Sequence, residues 1–425
     1  MKINPQLRSL LSSLLSLSET RWKSSSTAPM VGHDDLFTNT EAPSFFWRAA
    51  SYQTLLAVNA FSRFFLYGLN KTEVNGLPRF LDLLKSRSDY KTRRRGLITV
   101  SNHISVMDDP LIWGVLPLSF AAIHGYMNHR WSLGSHDICF KNSALSHFFT
   151  LGQVLPIHRG YHSPYGGPFQ ATMTEAVRLL SKINTDNIAL CPLNNPRFHK
   201  SYHTPSWPGD CVDPFSDMSP APAYPSQPSD VRWYHAPSRY ASNAYSWVHI
   251  FPEGMIHQAE DKTMRYFKWG VARLILEPVD CPDVVPMFIE GTDQVMHESR
   301  TFPRFLPRIG KKITVTFGKE LDVEARFGDL RKRWRELADR DAKDRGLPGW
   351  DELMLGIVPE SLTNDPEAIE LRKECTKRVR DAVLEVRRSR GLSDEDPKSG
   401  LVETWLREGP KREGRMDDGS WVKDT

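Results

Sequence analysis

From about residue 96 the chain alternates between short apolar runs and longer stretches of helical period. Apolar runs of four to eight residues are typical of buried strands, and apolar residues three and four apart are typical of helices. The predicted strands are LITV (97–100), QVLPIH (153–158), SWVHIF (246–251), VVPMFI (284–289) and KITVTFG (312–318). This alternation predicts an α/β fold.

Three stretches of helical period stand out between and after these strands. The first is PFQATMTEAVRLLSK, with Met173, Ala176, Val177 and Leu180 on one face. The second, TMRYFKWGVARLILEP, is predicted to stop at Pro278. The third is predicted to begin with Asp365 as its N-cap and Pro366 as its first residue, and to end at Gly391.

The first 43 residues have a composition of their own. Residues 1–30 are rich in Ser and poor in acidic residues, and Leu7, Leu10, Leu11, Leu14 and Leu15 recur at helical spacing. This composition is typical of an organellar transit peptide. Residues 1–43 are therefore predicted to be a targeting leader, with a disordered or interfacial leader as the alternative.

Residues 44–70 form the most apolar long segment. The longest run without a charge, Ala49 to Ser62, has fourteen residues, whereas a helix needs roughly 20 to span a bilayer. Arg48 and Arg63 close the run, and aromatic residues cluster at both ends, as at a lipid headgroup boundary. We predict a helix that lies in or dips into one leaflet, and a buried core helix is the alternative.

Two other regions depart from the α/β pattern. Residues 191–245 hold ten of the thirty prolines, without periodicity. This composition predicts a long, poorly ordered surface insertion. Residues 321–425 are predicted to be a C-terminal helical region that ends in a flexible, mixed-charge tail.

Composition excludes several classes of protein. The net charge of +4 suits a protein that works near anionic phosphates or lipids, but it lacks the concentrated basic character of a nucleic-acid binder. The slightly negative mean hydropathy argues against a polytopic membrane protein. No Cys-x-x-Cys pair occurs, and no His-x-x-x-His pair flanks a glutamate, so neither a disulfide framework nor a metal site is expected.

The segment SNHISVMDD (101–109) directly follows a predicted strand and carries the main chemical signal. A histidine held by a carboxylate removes protons from hydroxyl groups well, because the carboxylate fixes the tautomer and stabilises the imidazolium. A tight turn into a helix would let Asp108 fold back towards His103. We predict that these two residues form an acid–base unit that acts on a hydroxyl supplied by the substrate; a helix-capping role for Asp108 or Asp109 is the alternative.

Two further strand ends carry residues suited to an anionic ligand. HIFPEG (249–254) ends a strand with Glu253 and Gly254, and free N–H groups in the following turn would bind an anionic oxygen. LGQVLPIHRG (151–160) ends another with Arg159, a good bidentate phosphate ligand. Because ligands usually bind at one edge of an α/β sheet, His103, Arg159 and Glu253 are predicted to meet there.

These segments resemble a known superfamily. The order NHISVMD, GQVLPIHR, FPEG and VVPMFIEG is similar to the four motif blocks of the glycerolipid acyltransferases. VSNHISVMDDPLIWGVLP, RWSLGSHDICFKN, FFTLGQVLP, GGPFQ, SWVHIFPEG and MRYFKWGVARLILEP look more closely like the tafazzins, especially the fungal ones. The resemblance covers about residues 44–320 apart from the Pro-rich insertion.

The resemblance implies a fold, a reaction and a location. The fold would be a mixed sheet flanked by helices, in an acyltransferase domain of residues 44–320 that starts with the membrane-associated helix 44–70. The activity would be a phospholipid–lysophospholipid transacylase that remodels cardiolipin without coenzyme A or another cofactor. Its partners would be cardiolipin, monolysocardiolipin, phosphatidylcholine and other mitochondrial membrane proteins. It would act at mitochondrial inner and outer membranes, peripheral or in one leaflet, facing the intermembrane space.

The resemblance also implies residue roles. His103 would be the base that activates the lysolipid hydroxyl, and Asp108 would orient it. The substrate-binding residues would be Asn102, which would also steady the turn, Arg159, Glu253 and Gly254. Asp109 belongs to the family's acidic doublet without a separate role. Pro156 is a departure, because acyltransferases commonly have an aromatic residue there, and it leaves the geometry of that strand open.

The segment MRYFKWGVARLILE (264–277) is a second predicted membrane contact. Its apolar face comprises Met264, Phe267, Val271, Leu274 and Ile275, with nearby cations and the interfacial ring of Trp269. We predict that Phe267, Trp269 and Leu274 insert shallowly beside anionic cardiolipin. The alternative is an amphipathic helix of the core.

Three functions follow from these residues. The first is the transacylase, and the second is an acyl-coenzyme A-dependent acyltransferase of lysophosphatidic acid or glycerol phosphate, which shares the same motif blocks. The third is a non-catalytic scaffold that binds cardiolipin. A pure binding module has no evident use for a paired base and carboxylate, so His103 and Asp108 favour the enzymes.

Overall fold

The structure is a computed structural model, and it describes residues 42–124, 128–159, 166–182, 221–223, 232–234, 237–300, 302–346, 355–406, 413–415 and 421–423. The chain divides into two units. The first, Met1–Thr38, lies outside the described residues, together with the rest of the predicted leader up to residue 41 and most of the predicted insertion 191–245. The second unit, Asn39–Thr425, contains every element named below.

The described residues form eleven strands, five of which follow the predicted apolar runs closely. In chain order they are β1 (Lys71–Asn75), β2 (Leu97–Val100), β3 (Trp131–Ser135), β4 (Val154–Ile157), β5 (Ala221–Ala223), β6 (Arg232–Tyr234), β7 (Trp247–Ile250), β8 (Asp283–Glu290), β9 (Lys312–Phe317), β10 (Glu413–Arg415) and β11 (Trp421–Lys423). All five predicted strands are confirmed, as β2, β4, β7, β8 and β9. The pairs β5–β6 and β10–β11 are separate two-stranded sheets.

The remaining strands form one seven-stranded sheet in the order β1-β9-β8-β2-β7-β3-β4. Neighbouring strands are parallel, except that β8 and β9 are antiparallel. The carboxyl ends of β2, β3, β4, β7 and β8 therefore lie at one edge of the sheet, which we call the C-terminal edge. Because β1 and β9 run in the opposite direction, their first residues lie at this same edge.

Helices cover both faces of the sheet. They are α1 (Phe45–Gly68), α2 (Leu77–Ser86), α3 (Asp108–Ile112), α4 (Leu118–His124), α5 (His136–Cys139), α6 (Ser143–Leu151), α7 (Ala171–Leu179), α8 (Gly270–Leu276), α9 (Thr292–Val295), α10 (Val323–Asp344), α11 (Glu360–Thr363), α12 (Pro366–Ser389) and α13 (Val402–Leu406). The predicted α/β fold, a mixed sheet flanked by helices, is confirmed.

Alternate residues of the central strands enter two different cores. Ile98 and Val100 pack in a cluster with α7, α8, α10 and α12. Leu97, on the other face of β2, packs in a second cluster with α1, α2 and α3. A strand that is buried on both faces needs apolar residues in succession, which explains the uninterrupted LITV run.

Helix α12 has the predicted boundaries and also anchors a loop. Asp365 caps the helix by accepting the N–H of Ala368 at 2.8 Å. Along the helix, the buried Arg380 donates to the carbonyl oxygens of Met264 (2.7 Å) and Arg265 (2.9 Å). The C-terminal region thus fixes the loop that precedes α8, and this loop reaches the candidate active site.

Candidate active site

The candidate active site forms where β2 ends at the C-terminal edge. The chain turns after Val100 and enters α3 at Asp108, which is fully buried. One carboxylate oxygen of Asp108, Oδ2, accepts the N–H groups of Ile104 (2.7 Å) and Ser105 (2.8 Å). The same oxygen lies 2.9 Å from Nδ1 of His103. The aspartate therefore folds back onto its own turn and brings the predicted pair together.

The surroundings of His103 determine which of its ring nitrogens carries the proton. Asp108 Oδ2 only accepts hydrogen bonds when ionised, so Nδ1 of the neutral ring carries the proton and Nε2 carries the lone pair. The ring stacks on Phe251 with centroids 4.4 Å apart and an angle of 26°. About a fifth (21%) of the side chain is exposed, so a substrate can reach a ring whose orientation is fixed on two sides.

A residue that the sequence reasoning missed completes this unit. Thr292, the first residue of α9, donates its hydroxyl to the second oxygen of Asp108, Oδ1, at 2.5 Å. Gly291, in the left-handed region at φ 90°, makes the turn from β8 into α9. The signal available in the sequence was the position of Thr292 directly after the VVPMFIEG block.

Asn102 lies in the same turn, but the structure gives it no contact surface for a substrate. It is 2% exposed. Its amide donates to the carbonyl oxygen of Ile289 (2.9 Å) and accepts the Ile289 N–H (2.8 Å). The predicted substrate contact is therefore corrected: Asn102 joins the turn to β8, which agrees with its predicted steadying role.

Glu253 is also a positioning residue in the structure. It is 2% exposed, and its two carboxylate oxygens accept the backbone N–H groups of His103 (2.8 Å) and Arg265 (2.9 Å). Burial raises the pKa of this carboxyl to about 7, although the two N–H groups oppose the shift. One oxygen thus holds the active-site turn and the other holds the loop before α8, so the structure shows Glu253 bound to backbone; the predicted contact with lipid phosphate stays a prediction.

Gly254 does not offer the predicted free N–H group. Its N–H donates to the carbonyl oxygen of Phe251 at 3.0 Å, within the turn after β7. The backbone has φ 64°, and an added Cβ would lie 2.8 Å from Nζ of Lys268. The left-handed backbone of the turn thus favours glycine, whereas the flexible end of Lys268 could move aside; this is a different reason from the predicted binding of an anionic oxygen.

Arg159 is placed at the same edge but away from His103. It follows β4, which is three strands from β2 and hence roughly 14 Å across the sheet. Its guanidinium pairs with the Asp137 carboxylate, where Nε to Oδ1 is 3.1 Å. The predicted meeting of Arg159 with His103 is not found, and its charge is balanced within the protein.

Asp109, which the sequence left without a role, organises a polar cluster behind the turn. Its carboxylate accepts hydrogen bonds from Trp113 (3.1 Å), Arg130 (2.7 Å) and Ser132 (3.1 Å). Burial opposes ionisation, but the Arg130 guanidinium holds the pKa of Asp109 below its usual value. Within the residues that the structure describes, no group of three or more His, Cys, Asp and Glu side chains could hold a metal ion.

His249 on β7 lies in this cluster and is completely buried. Its Nδ1 lies 2.8 Å from the Thr99 hydroxyl, and its Nε2 has no hydrogen-bond partner among the described residues. The ring contacts Trp113 and Phe251 edge-on. Burial lowers the pKa of His249 to about 3, so the folded protein keeps this ring neutral.

The neutral state of His249 predicts a pH dependence of stability. In the unfolded chain His249 takes up a proton below its ordinary pKa of 6.5, whereas in the folded protein it stays neutral down to about pH 3. The contribution of the neutral ring to the free energy of unfolding is therefore complete above pH 6.5 and is lost as the pH falls towards 3. The stability advantage of wild type over His249→Phe should therefore shrink by about 2 kcal/mol between pH 7.5 and pH 5. Chemical denaturation at both pH values measures this, and an advantage independent of pH would contradict it.

The predicted membrane-contacting helix over residues 264–277 is different in the structure. Only Gly270–Leu276 is helical, and Phe267 and Leu274 are 4% and 0% exposed in the hydrophobic core. Arg273, expected to be an interfacial cation, is buried and paired with Glu277 at 2.7 Å. The insertion predicted for Phe267 and Leu274 is corrected to core packing, and Trp269 beside them is half-buried.

Helix α1 combines a partly polar inner face with a largely apolar outer face. Its inner face is partly polar: Asn59 donates to the Trp113 carbonyl oxygen (2.8 Å), and Ser51 donates to that of Leu151 (2.6 Å). Its outer face is apolar, with Phe45, Phe46, Phe61, Phe64 and Tyr67 between 45% and 76% exposed. Of the helices described, none has the length and apolar character to cross a membrane.

Known proteins resemble the chain over most of its length. Tafazzin from Saccharomyces cerevisiae is 34% identical over 370 residues, which are 85% of this chain and 84% of that protein. Tafazzin from Drosophila melanogaster is 30% identical over 300 residues, 71% of this chain and 59% of that protein. N-acylphosphatidylethanolamine synthase from Arabidopsis thaliana is 27% identical over 277 residues, 64% of this chain and 70% of that protein.

A solved structure with a low TM-score and the family models give less information about this chain than the relatives above. A crystal structure of 1-acyl-sn-glycerophosphate acyltransferase from Thermotoga maritima covers 69% of this chain and 79% of its own, at 14% identity and a TM-score of 0.31, which is too low to carry an argument. No family model matches. The extent and identity of the match to the yeast protein are sufficient by themselves. The chain belongs to the tafazzin family and is an acyltransferase.

Proposed function

We propose that this chain is a phospholipid–lysophospholipid transacylase that remodels cardiolipin without coenzyme A. Its relatives support a phospholipid acyltransferase, and the resemblance to the tafazzins supports the narrower reaction. The observation that carries the proposal is the His103–Asp108 hydrogen bond of 2.9 Å at the C-terminal edge. A base of this kind acts on a substrate hydroxyl, and a lysophospholipid supplies one.

The reaction is a transfer of one acyl group between two glycerol oxygens. Nε2 of His103 takes the proton of the lysolipid hydroxyl while the oxygen attacks the ester carbonyl of the donor phospholipid. The tetrahedral intermediate collapses with cleavage of the old C–O bond, and the departing glycerol oxygen takes the proton from Nε2. One ester forms and one breaks, so no net hydrolysis or redox change occurs and the base is regenerated.

The residues around the base stabilise its charged state. While His103 holds the proton, the Asp108 carboxylate supplies the opposite charge at Nδ1. Two backbone N–H groups and the Thr292 hydroxyl keep that carboxylate in place. We further propose that Asn102 and Glu253 act through His103 by holding its turn, and that Arg159 lies too far away to act on the ester.

The proposed setting is the surface of mitochondrial membranes that faces the intermembrane space. The exposed aromatic face of α1 supports binding in one leaflet, because such rings partition to the headgroup boundary. Helix α1 also packs against α3, whose first residue is Asp108. A membrane-bound α1 would thus hold the base close to the lipids on which it acts.

The requirement for coenzyme A tests this proposal directly. Purified protein is incubated with vesicles of acyl-labelled phosphatidylcholine and monolysocardiolipin in the strict absence of coenzyme A. We expect the label to reach cardiolipin and lysophosphatidylcholine to appear in equal amount. Transfer only from added acyl-coenzyme A would instead identify an acyl-coenzyme A-dependent acyltransferase, and no transfer with either donor would favour the cardiolipin-binding scaffold.

A further inference from the structure

The loop between α9 and β9 exposes an unusual number of large apolar side chains. Phe302 and Phe305 are each 77% exposed, Leu306 is 51% exposed and Ile309 is 60% exposed. Exposed phenylalanines in a group are uncommon on soluble surfaces and usually mark a surface that something covers. We call residues 302–311 the apolar loop.

The apolar loop is also strongly cationic. Residues 299–311 contain Arg300, Arg304, Arg308 and Lys311 and no acidic residue. Arg304 donates to the carbonyl oxygens of Arg300 (3.0 Å) and Glu298 (2.6 Å), so the loop has a defined conformation. The pKa of Arg300 is lowered by burial and then by Arg304 and Arg308, as expected where like charges are close together.

The position of the loop relates it to the candidate active site. It connects α9, whose Thr292 binds Asp108, to the first residue of β9 at the C-terminal edge. It also touches the end of α1, since Gly310 donates its N–H to the Leu69 carbonyl oxygen at 2.8 Å. The apolar loop and the exposed aromatic end of α1 are therefore neighbours at the edge where His103 lies.

We infer that the apolar loop is a second membrane-docking element, which inserts its phenylalanines among the lipids and places its cations at anionic headgroups. Alternating large apolar and cationic residues match the surface of a negatively charged bilayer. The apolar side chains would lie among the acyl chains, and the cations would lie at the anionic headgroups. A protein partner would have to supply both an apolar surface for the phenylalanines and acidic groups for the cations, whereas an anionic bilayer supplies both. Two anchors at one edge would orient the C-terminal edge towards the bilayer. With α1 as the only anchor, the protein could still rotate about the axis of that helix.

This inference rests on the proposed function only in that it assumes a lipid surface. The test therefore measures membrane binding separately from acyl transfer. Full-length protein carrying His103→Ala, which prevents transfer, is sedimented with vesicles of phosphatidylcholine alone or of phosphatidylcholine and cardiolipin. Phe302→Ser with Phe305→Ser should weaken partitioning to both vesicles about tenfold or more. Lys311→Gln should weaken only the binding to anionic vesicles, about fivefold.

Matched variants make the result decisive. Val279→Ser changes an apolar residue that is 45% exposed and lies before β8, at the opposite edge of the sheet, and it should leave partitioning unchanged. Phe302→Leu with Phe305→Leu should retain most of the binding. Unchanged partitioning of the serine variant, or an equal loss in Val279→Ser, would overturn the inference. The remaining alternative is that the apolar loop is covered by a second copy of the chain in a dimer, which light scattering of the free protein would detect. If the serine variant lost a dimer but kept its vesicle binding, the inference would also be overturned.

Discussion

Replacing His103 by Ala should lower the rate of acyl transfer about 10²- to 10⁴-fold, because the lysolipid hydroxyl then has no base to take its proton. The ring is one-fifth exposed and sits at the surface of the turn, so little core packing is lost. The backbone N–H that Glu253 accepts remains present in alanine. We therefore expect normal vesicle binding and a melting temperature close to wild type, measured beside initial rates of label transfer.

His297→Ala is the matched control for this experiment. His297 is another partly exposed histidine of the same edge, and its ring nitrogen Nδ1 hydrogen-bonds with the nearby Ser299. It should retain nearly full activity. If His103→Ala kept more than a tenth of the wild-type rate, proton transfer by this ring could not be central to the reaction, and the scaffold or a different site would have to be considered.

Replacing Asp108 by Asn should lower the rate about 100-fold or more while the turn persists. The N–H groups of Ile104 and Ser105 will hold the amide oxygen where Oδ2 now lies, and the amide nitrogen can then donate to Thr292. The ring orientation is thus retained, but the imidazolium formed during transfer loses its counter-charge. The loss should appear in the rate constant rather than in vesicle binding.

Asp109→Asn separates this effect from damage to α3. It changes the next residue of the helix in the same way, but its carboxylate binds Arg130, Ser132 and Trp113 instead of His103. Leaving a buried Arg130 without its counter-charge should lower the melting temperature, while the folded protein should keep its rate within about tenfold. Similar rates for both variants would argue against a special role for Asp108.

The fold and the central pair could be predicted because their signals are local. Strands buried on both faces show as continuous apolar runs, and Asp108 needs only a five-residue turn to reach His103. The contacts of Asn102 and Thr292 could not be predicted, since their partners lie 187 and 184 residues away. Glu253 was predicted to contact the ligand, but the structure shows that both of its carboxylate oxygens accept backbone N–H groups, one from His103 and one from Arg265.

The periodicity of apolar residues could not predict which segments are exposed for contact with a membrane. Residues 264–275 have an amphipathic pattern, yet α10 and α12 cover their apolar side chains, and no local pattern reveals what packs on a helix. Helix α1 was predicted from its long charge-free run and its aromatic ends, and only the structure shows that Ser51 and Asn59 face inward. The apolar loop was missed because alternating prolines, arginines and phenylalanines have neither helical nor strand period.

The anchoring of the loop before α8 by α12 has a consequence for the synthesis of this protein. The N–H of Met264 is accepted by Glu395, 131 residues further along the chain, and Arg265 reaches Glu253 and through it the backbone of His103. The contact between Met264 and Glu395 can form only after the residues up to Glu395 have left the ribosome. A nascent chain therefore brings His103 and Asp108 together early, through contacts within one short turn, whereas the loop before α8 gains this anchor only when translation is nearly complete.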